Sequence, residues 1–233
     1  MKELSIKGRV NKNIFAANKC LILLVFFLIW FFTGPLLLSH PHLSQIYVVA
    51  YLILMICGVY ALTGNRVMLG FSIAVAIFAS YEWITHFYHP DRQMMELCGF
   101  TVVLFDFTMT ASMILYTVMA KKFNRDMLFG IIFTFFMIGQ SFGDAFYVMQ
   151  FWGTVQFRLT DAAHTVPSML ECIYFSFSTL TTTGYGDILP ATDFAKRMSI
   201  LEQSIGVLYV AVFIGRLLNA YGNGHQNQAA NEE

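Results

Sequence analysis

The chain has 233 residues, 57% of them hydrophobic and 12% charged, with a mean hydropathy of +0.62. That composition excludes a water-soluble domain of this size and makes lipid the solvent for most of the chain. The 14 basic and 14 acidic residues cancel, so nothing in the charge implies a nucleic-acid partner.

A hydrocarbon layer about 30 Å thick needs roughly 20 apolar residues of helix to cross it. Six stretches meet that need. Leu21–Leu38 and Gln45–Leu62 carry no charge, and Val67–Ile84 is clean up to Glu82. Gly99–Ala120 holds only Asp106, Met127–Met149 only Asp144, and Met198–Ala220 holds Glu202 and, near its end, Arg216. The first is too long for the apolar part of a secretory leader, and no small-residue cleavage site follows it. With six spans both termini fall on one side. That side carries Lys2, Lys7, Arg9, Lys12, Lys19, Arg66, Lys121, Lys122, Arg125 and Arg216, against Arg92, Arg158, Lys196 and Arg197 on the other. The basic-rich side is expected to be cytoplasmic, in a cell membrane.

One segment lies between the fifth and sixth spans on the outer side. Pro167 precedes Ser168-x-x-Glu171, a capping-box pattern that starts a helix. The apolar body after it is about 12 residues, roughly 18 Å at 1.5 Å per residue, too short to cross. A re-entrant helix is the expectation, followed by the extended run Thr182-Thr183-Gly184-Tyr185-Gly186-Asp187 and a return through Ile188-Leu189-Pro190. Irregular backbone at membrane depth is tolerated only where it is buried in protein or lines a watery cavity. The carbonyls of this run must therefore face something polar.

A short capped helix, Thr-Thr-Gly-Tyr-Gly-Asp and then an inner helix resembles the pore module of the potassium-channel family, over roughly Met127–Asn219. The resemblance implies an all-α membrane protein in which four copies of the chain surround one pore. The carbonyls of Thr182, Thr183, Gly184 and Tyr185 would replace the hydration shell of K+, with Gly186 completing the strand and the Thr182 hydroxyl closing the innermost site. Tyr185 would point into the surrounding protein. Potassium is then the permeant ion, lipid and further copies of the chain are the partners, no other cofactor is needed, and no enzymatic activity is expected. Filter support would come from Tyr174, whose hydroxyl can reach Asp187, and from Thr179. Phe175 offers no donor for Tyr185, and Ser178 stands where some relatives carry an acid.

The resemblance also implies a hinge at Gly206 and a cavity or gate lined by Val207, Val210 and Ile214. Close helix packing is the competing reading of Gly206, and helix packing is expected of the Gly139–Gly143 pair. For Glu202 two readings stand: support of the short helix from behind, or attraction of cations into the cavity. Asp106 and Asp144 need either structural hydrogen bonds or a sensing role, because buried acids are expensive in a membrane. The fourth span departs from voltage-gated relatives, since it has no regularly spaced Arg or Lys to move through the field.

His40, His42, His86, His89 and His164 fall outside in this topology, either as polar loop residues or as metal or pH-sensing groups. Cys20, Cys57, Cys98 and Cys172 show no metal spacing and read as small buried hydrophobes. The resulting division is a cytoplasmic segment 1–19, a four-helix domain 20–122, a pore domain 123–220 and a disordered cytoplasmic tail 221–233. The tail leaves no room for a ligand-binding domain, so regulation would come through the membrane part, lipid, pH or a separate regulatory subunit. A non-selective cation pore and a non-conducting regulatory subunit remain the alternatives.

Overall fold

The computed structural model describes residues 18–38, 49–54, 56–58, 70, 73–75, 77–78, 81, 92–119, 124–160 and 166–229. The second and third predicted spans fall largely outside these residues. So do His40, His42, His86, His89 and His164, and the side chain of His225.

The elements in chain order are α1 (Lys19–Leu38), α2 (Arg92–Met119), α3 (Arg125–Phe151), β1 (Phe157–Leu159), α4 (Met169–Leu180), β2 (Ile188–Pro190) and α5 (Asp193–Ala229). Four helices have stretches long and apolar enough to cross a membrane: Lys19–Leu37, Gly99–Thr117, Arg125–Phe151 and Asp193–Leu218. The chain is a helical, multi-pass membrane protein. Where the sequence suggested a disordered tail after Ala220, the backbone stays helical to Ala229.

Two compact units can be described separately. The first comprises Met1–Ala76 with Ala111–Thr134. Here the start of α1 is held by a carboxylate from the start of α3: the Cys20 N–H donates to Asp126 Oδ1 at 2.8 Å. A helix N-terminus has unpaired N–H groups and a positive partial charge, so an acid is well placed there. Phe27 meets Phe133 edge-on at 5.5 Å.

The second unit comprises Ile77–Thr110 with Phe135–Glu233. Its core is aromatic. Phe146 packs edge-on against Phe157 at 5.7 Å and Phe175 at 5.3 Å, and Phe157 meets Phe175 at 4.9 Å. Each such contact adds about 0.5–1.5 kcal/mol beyond area burial, so α3, β1 and α4 are joined through one cluster.

The small sheet is an addition to the expected all-α architecture. β1 and β2 pair antiparallel, with Phe157 opposite Pro190, Arg158 opposite Leu189 and Leu159 opposite Ile188. It ties the segment after α3 to the segment after the glycine-rich loop.

Candidate functional site

The site is built on α4. Its start closes as the sequence spells it: the Glu171 N–H donates to Ser168 Oγ at 3.3 Å and the Ser168 N–H to Glu171 Oε2 at 2.7 Å. Two N–H groups that a helix start leaves unpaired are thereby satisfied. The buried face of α4 carries Cys172, Ile173, Phe175, Ser176, Ser178 and Leu180. It sits on glycines. A Cβ at Gly139 would lie 2.7 Å from Phe177 Cζ, and one at Gly143 would lie 2.8 Å from Ile173 Cα. A Cβ at Gly206 would run into the carbonyl oxygen of Leu180.

The loop leaving α4 turns its amides inward. The Thr181 N–H donates to Phe177 O at 3.1 Å, Thr182 N–H to Thr179 O at 2.9 Å, and the Thr183 and Gly184 N–H groups both to Ser178 O at 2.9 and 3.1 Å. The last carbonyls of α4, orphaned in any helix, are thus used by the loop. Among the described residues, no hydrogen bond ends on the carbonyls of Thr182 to Gly186. Thr182, Gly184 and Gly186 have φ of 59°, 57° and 82°, while Thr183 and Tyr185 between them do not take positive φ. This alternation leaves successive carbonyls free to line up on one side of the strand. For Gly184 and Gly186 the left-handed region is open at little cost. For the β-branched Thr182 it is strained, of a kind that collects at functional sites.

The loop's hydroxyls divide. Thr181 Oγ1 donates to Phe177 O at 2.7 Å and lies 2.9 Å from Thr183 Oγ1. The Thr182 hydroxyl has no partner among the described residues.

Behind the loop, the Tyr174 hydroxyl donates to Asp187 Oδ2 at 2.8 Å. Asp187 Oδ1 accepts from the Ile188 N–H at 3.0 Å. The hydrogen bond to Asp187 pushes the Tyr174 phenol up to about 12. The phenol therefore stays protonated, and able to donate, at neutral pH. The Tyr174 ring stacks on Tyr185 at 5.7 Å and 10°, and Tyr185 is 68% exposed in the single chain. Phe175 does not meet Tyr185; it is buried in the aromatic core. Ser178 turns its hydroxyl back onto Phe175 O at 2.9 Å, so its support of the loop comes from its carbonyl. Thr179 likewise contributes its carbonyl, to Thr182.

Tyr174→Phe keeps the ring and removes one donor to a carboxylate. Hydrogen–deuterium exchange across 182–188 should then rise several-fold. An exchange rate equal to the parent's would show that the bond does not hold the loop.

Glu202 on α5 is fully buried and meets α4 through Ser176, whose Oγ is hydrogen-bonded to Glu202 Oε1. The same Ser176 Oγ lies 2.6 Å from Gly139 O on α3. This one hydroxyl joins three helices, and the sequence reading missed it. The signal available was a serine in the middle of an apolar helix. A single hydroxyl hydrogen cannot serve both acceptors, so a donor at position 202 suits the geometry. Glu202→Gln should therefore fold normally. Glu202→Ala leaves a cavity and should destabilise the protein by about 2–4 kcal/mol. Thermal melting of both variants decides, and equal melting overturns the assignment.

Val207, Val210 and Ile214 on α5 are 55%, 42% and 49% exposed in the single chain, an apolar stripe left about half exposed. Away from the loop, Asp144 and Asp106 are buried. Gln140 Nε2 donates to Asp144 Oδ2 at 2.9 Å. One turn on, Thr110 and Ser141 hydroxyls meet at 2.9 Å, and Ser141 donates to Met137 O at 2.7 Å. The Thr110–Ser141 bond joins α2 to α3 and is worth roughly 0.6 kcal/mol in a membrane. No group of three His, Cys, Asp or Glu able to hold a metal ion occurs among the described residues.

A helical membrane protein with a capped short helix, a loop of unbonded carbonyls and a long apolar helix after it has the layout of a pore-forming chain. An ion-channel family profile matches residues 145–223, which take in the end of α3, the sheet, α4, the loop and most of α5. Similarity extends to two plant proteins. "Two-pore potassium channel 4" of Arabidopsis thaliana is 36% identical over 50 residues, 22% of this chain and 18% of that protein. "Two pore potassium channel b" of Oryza sativa subsp. japonica is 40% identical over 47 residues, 20% of this chain and 14% of that protein. The chain thus matches less than a fifth of the length of each relative.

Proposed function

We propose that the chain is the subunit of a homotetrameric, potassium-selective channel. The observation that carries this is the loop 182–186. Its first amides are tied to the end of α4, its φ signs alternate, and its carbonyls have no partners among the described residues. One chain supplies one strand of oxygens, and four strands around an axis make a ring that can replace a hydration shell. On this reading K+ sits against the carbonyls of Thr182, Thr183, Gly184 and Tyr185, and the Thr182 hydroxyl closes the inner end. The short helix α4 is re-entrant, and its negative C-terminal end favours a cation at the inner mouth of the loop. Val207, Val210 and Ile214 line the cavity and lower gate, and Gly206 is a candidate hinge.

The full topology on this reading has six spans with both termini cytoplasmic, in a cell membrane. Opening does not depend steeply on voltage, because residues 99–119 contain Asp106 and no Lys or Arg.

Purified protein in potassium-loaded liposomes tests the proposal, with potassium efflux compared against sodium efflux. Potassium flux far above sodium flux is the expected result. Equal fluxes would favour a non-selective pore. No flux from assembled tetramers would favour a non-conducting subunit.

A further inference from the structure

Every acceptor of Asp187, the residue that closes the glycine-rich loop, is engaged. Oδ2 takes the Tyr174 hydroxyl and Oδ1 the Ile188 N–H. The backbone carbonyl takes two donors from one residue in the segment after α3: the Thr160 N–H at 3.0 Å and Thr160 Oγ1 at 3.0 Å. Thr160 comes directly after Leu159, which pairs with Ile188, so it continues the β1–β2 ladder by one rung, opposite Asp187. The other end of the ladder is stitched as well. Ala191 N–H donates to Gln156 O at 2.8 Å, and Thr192 Oγ1 to Thr154 O at 2.9 Å.

We infer that Thr160 is a positioning residue of the outer ion site, acting through the Asp187 carbonyl rather than on the ion. The inference rests on the channel reading above. The chain leaves Gly186 at a φ of 82°, and a glycine beside an exposed turn does not fix its own direction. Direction must come from its neighbour Asp187. Tyr174 holds the Asp187 side chain from the α4 side, and Thr160 holds the Asp187 backbone from the opposite strand. Of the two, only the second bonds a backbone atom of Asp187 directly, one peptide unit beyond the Gly186 carbonyl. A doubly donated carbonyl keeps one bond when the other breaks, so removing the hydroxyl loosens this end without releasing it.

The test uses the full-length protein in liposomes with two readouts. One is hydrogen–deuterium exchange across 181–191 in potassium and in sodium salt. The other is the decay of potassium flux after a step to low potassium. Wild-type exchange slower in potassium than in sodium is expected on the channel reading; identical exchange together with absent flux rejects that reading. Thr160→Val should raise exchange across 187–191 roughly 2- to 12-fold in both salts, the factor for one lost hydrogen bond. Its flux should decay faster at low potassium and recover when potassium is raised. Thr160→Ser should restore both readouts, and Thr33→Val, whose hydroxyl bonds only within α1, should change neither. Unchanged exchange and decay in Thr160→Val, beside a potassium-dependent wild type, overturns the inference alone. Should Thr160→Val fail to assemble, the Thr160 amide of the wild type decides. Protection like that of the β1 ladder sustains the clamp, and exchange at a free-peptide rate overturns it.

Discussion

On the proposed channel reading, Gly184→Ala is expected to abolish potassium flux while tetramers still form. Gly184 has a φ of 57°, and a Cβ built there meets nothing within 4 Å among the described residues. Steric crowding within the chain is therefore not the cause; backbone conformation is. Holding a residue with a Cβ in the left-handed region costs roughly 1–2 kcal/mol, and four chains raise that to about 4–8 kcal/mol. The loop already holds Thr182 at a φ of 59°, so little tolerance remains before it relaxes to ordinary angles. Relaxation turns carbonyls out of line, and a ring that lacks one layer of oxygens no longer matches a hydration shell. Gly153 supplies the internal control. It has a φ of 69°, also with nothing within 4 Å of its Cβ position, in the turn after α3. Gly153→Ala carries a similar conformational cost away from the loop, so it should lower stability and leave selectivity intact. Flux measured on both variants after size-exclusion chromatography checks the pair. Unchanged flux in an assembled Gly184→Ala tetramer would remove the ion sites from this loop.

The sequence made some of this site legible because the information was local. Ser168 and Glu171 are three residues apart and cap one helix start, so their spacing alone carries the signal. Glycines at 184 and 186 advertise positive φ, and both adopt it. Thr182 does too, and nothing in its identity announces that; the loop's anchoring to Ser178 and Thr179 imposes it. The long apolar helices were legible from composition, since a lipid solvent leaves few other choices. The strands were not. Three residues each are too few for an alternation of side chains to emerge, and their pairing joins positions about thirty residues apart. Thr160 was invisible for the same reason. The resemblance matched Phe175, next to Tyr174, to a position where relatives carry a donor for the loop tyrosine. Adjacent residues on a helix point about 100° apart, and here one of them faces the loop while the other enters the core. Ser176 with Glu202 needed the crossing of α4 and α5, which no local pattern gives.

Gly206→Ala separates the two roles open to that residue. As a packing site, Gly206 lets α5 press against the end of α4, where a Cβ would collide with Leu180 O and come within 3.0 Å of Leu180 Cδ1. The side chain can rotate away, but the carbonyl cannot, because it belongs to the last turn of a helix whose next amides are already tied down by the loop. Overpacking of this kind costs about 1–3 kcal/mol per chain, against a gain of roughly 1 kcal/mol from replacing a helical glycine by alanine. The melting temperature of the assembled protein should fall, and flux should fall with it, since the displaced atoms lead straight into the loop. Gly215, one helical stretch further along α5, has nothing within 4 Å of its Cβ position. There the propensity gain is unopposed, so Gly215→Ala should raise the melting temperature slightly. A hinge makes the opposite prediction at 206: an assembled protein of normal or higher melting temperature that rarely opens. Opposite signs for the two substitutions assign Gly206 to packing. A stabilised but closed Gly206→Ala protein assigns it to the hinge.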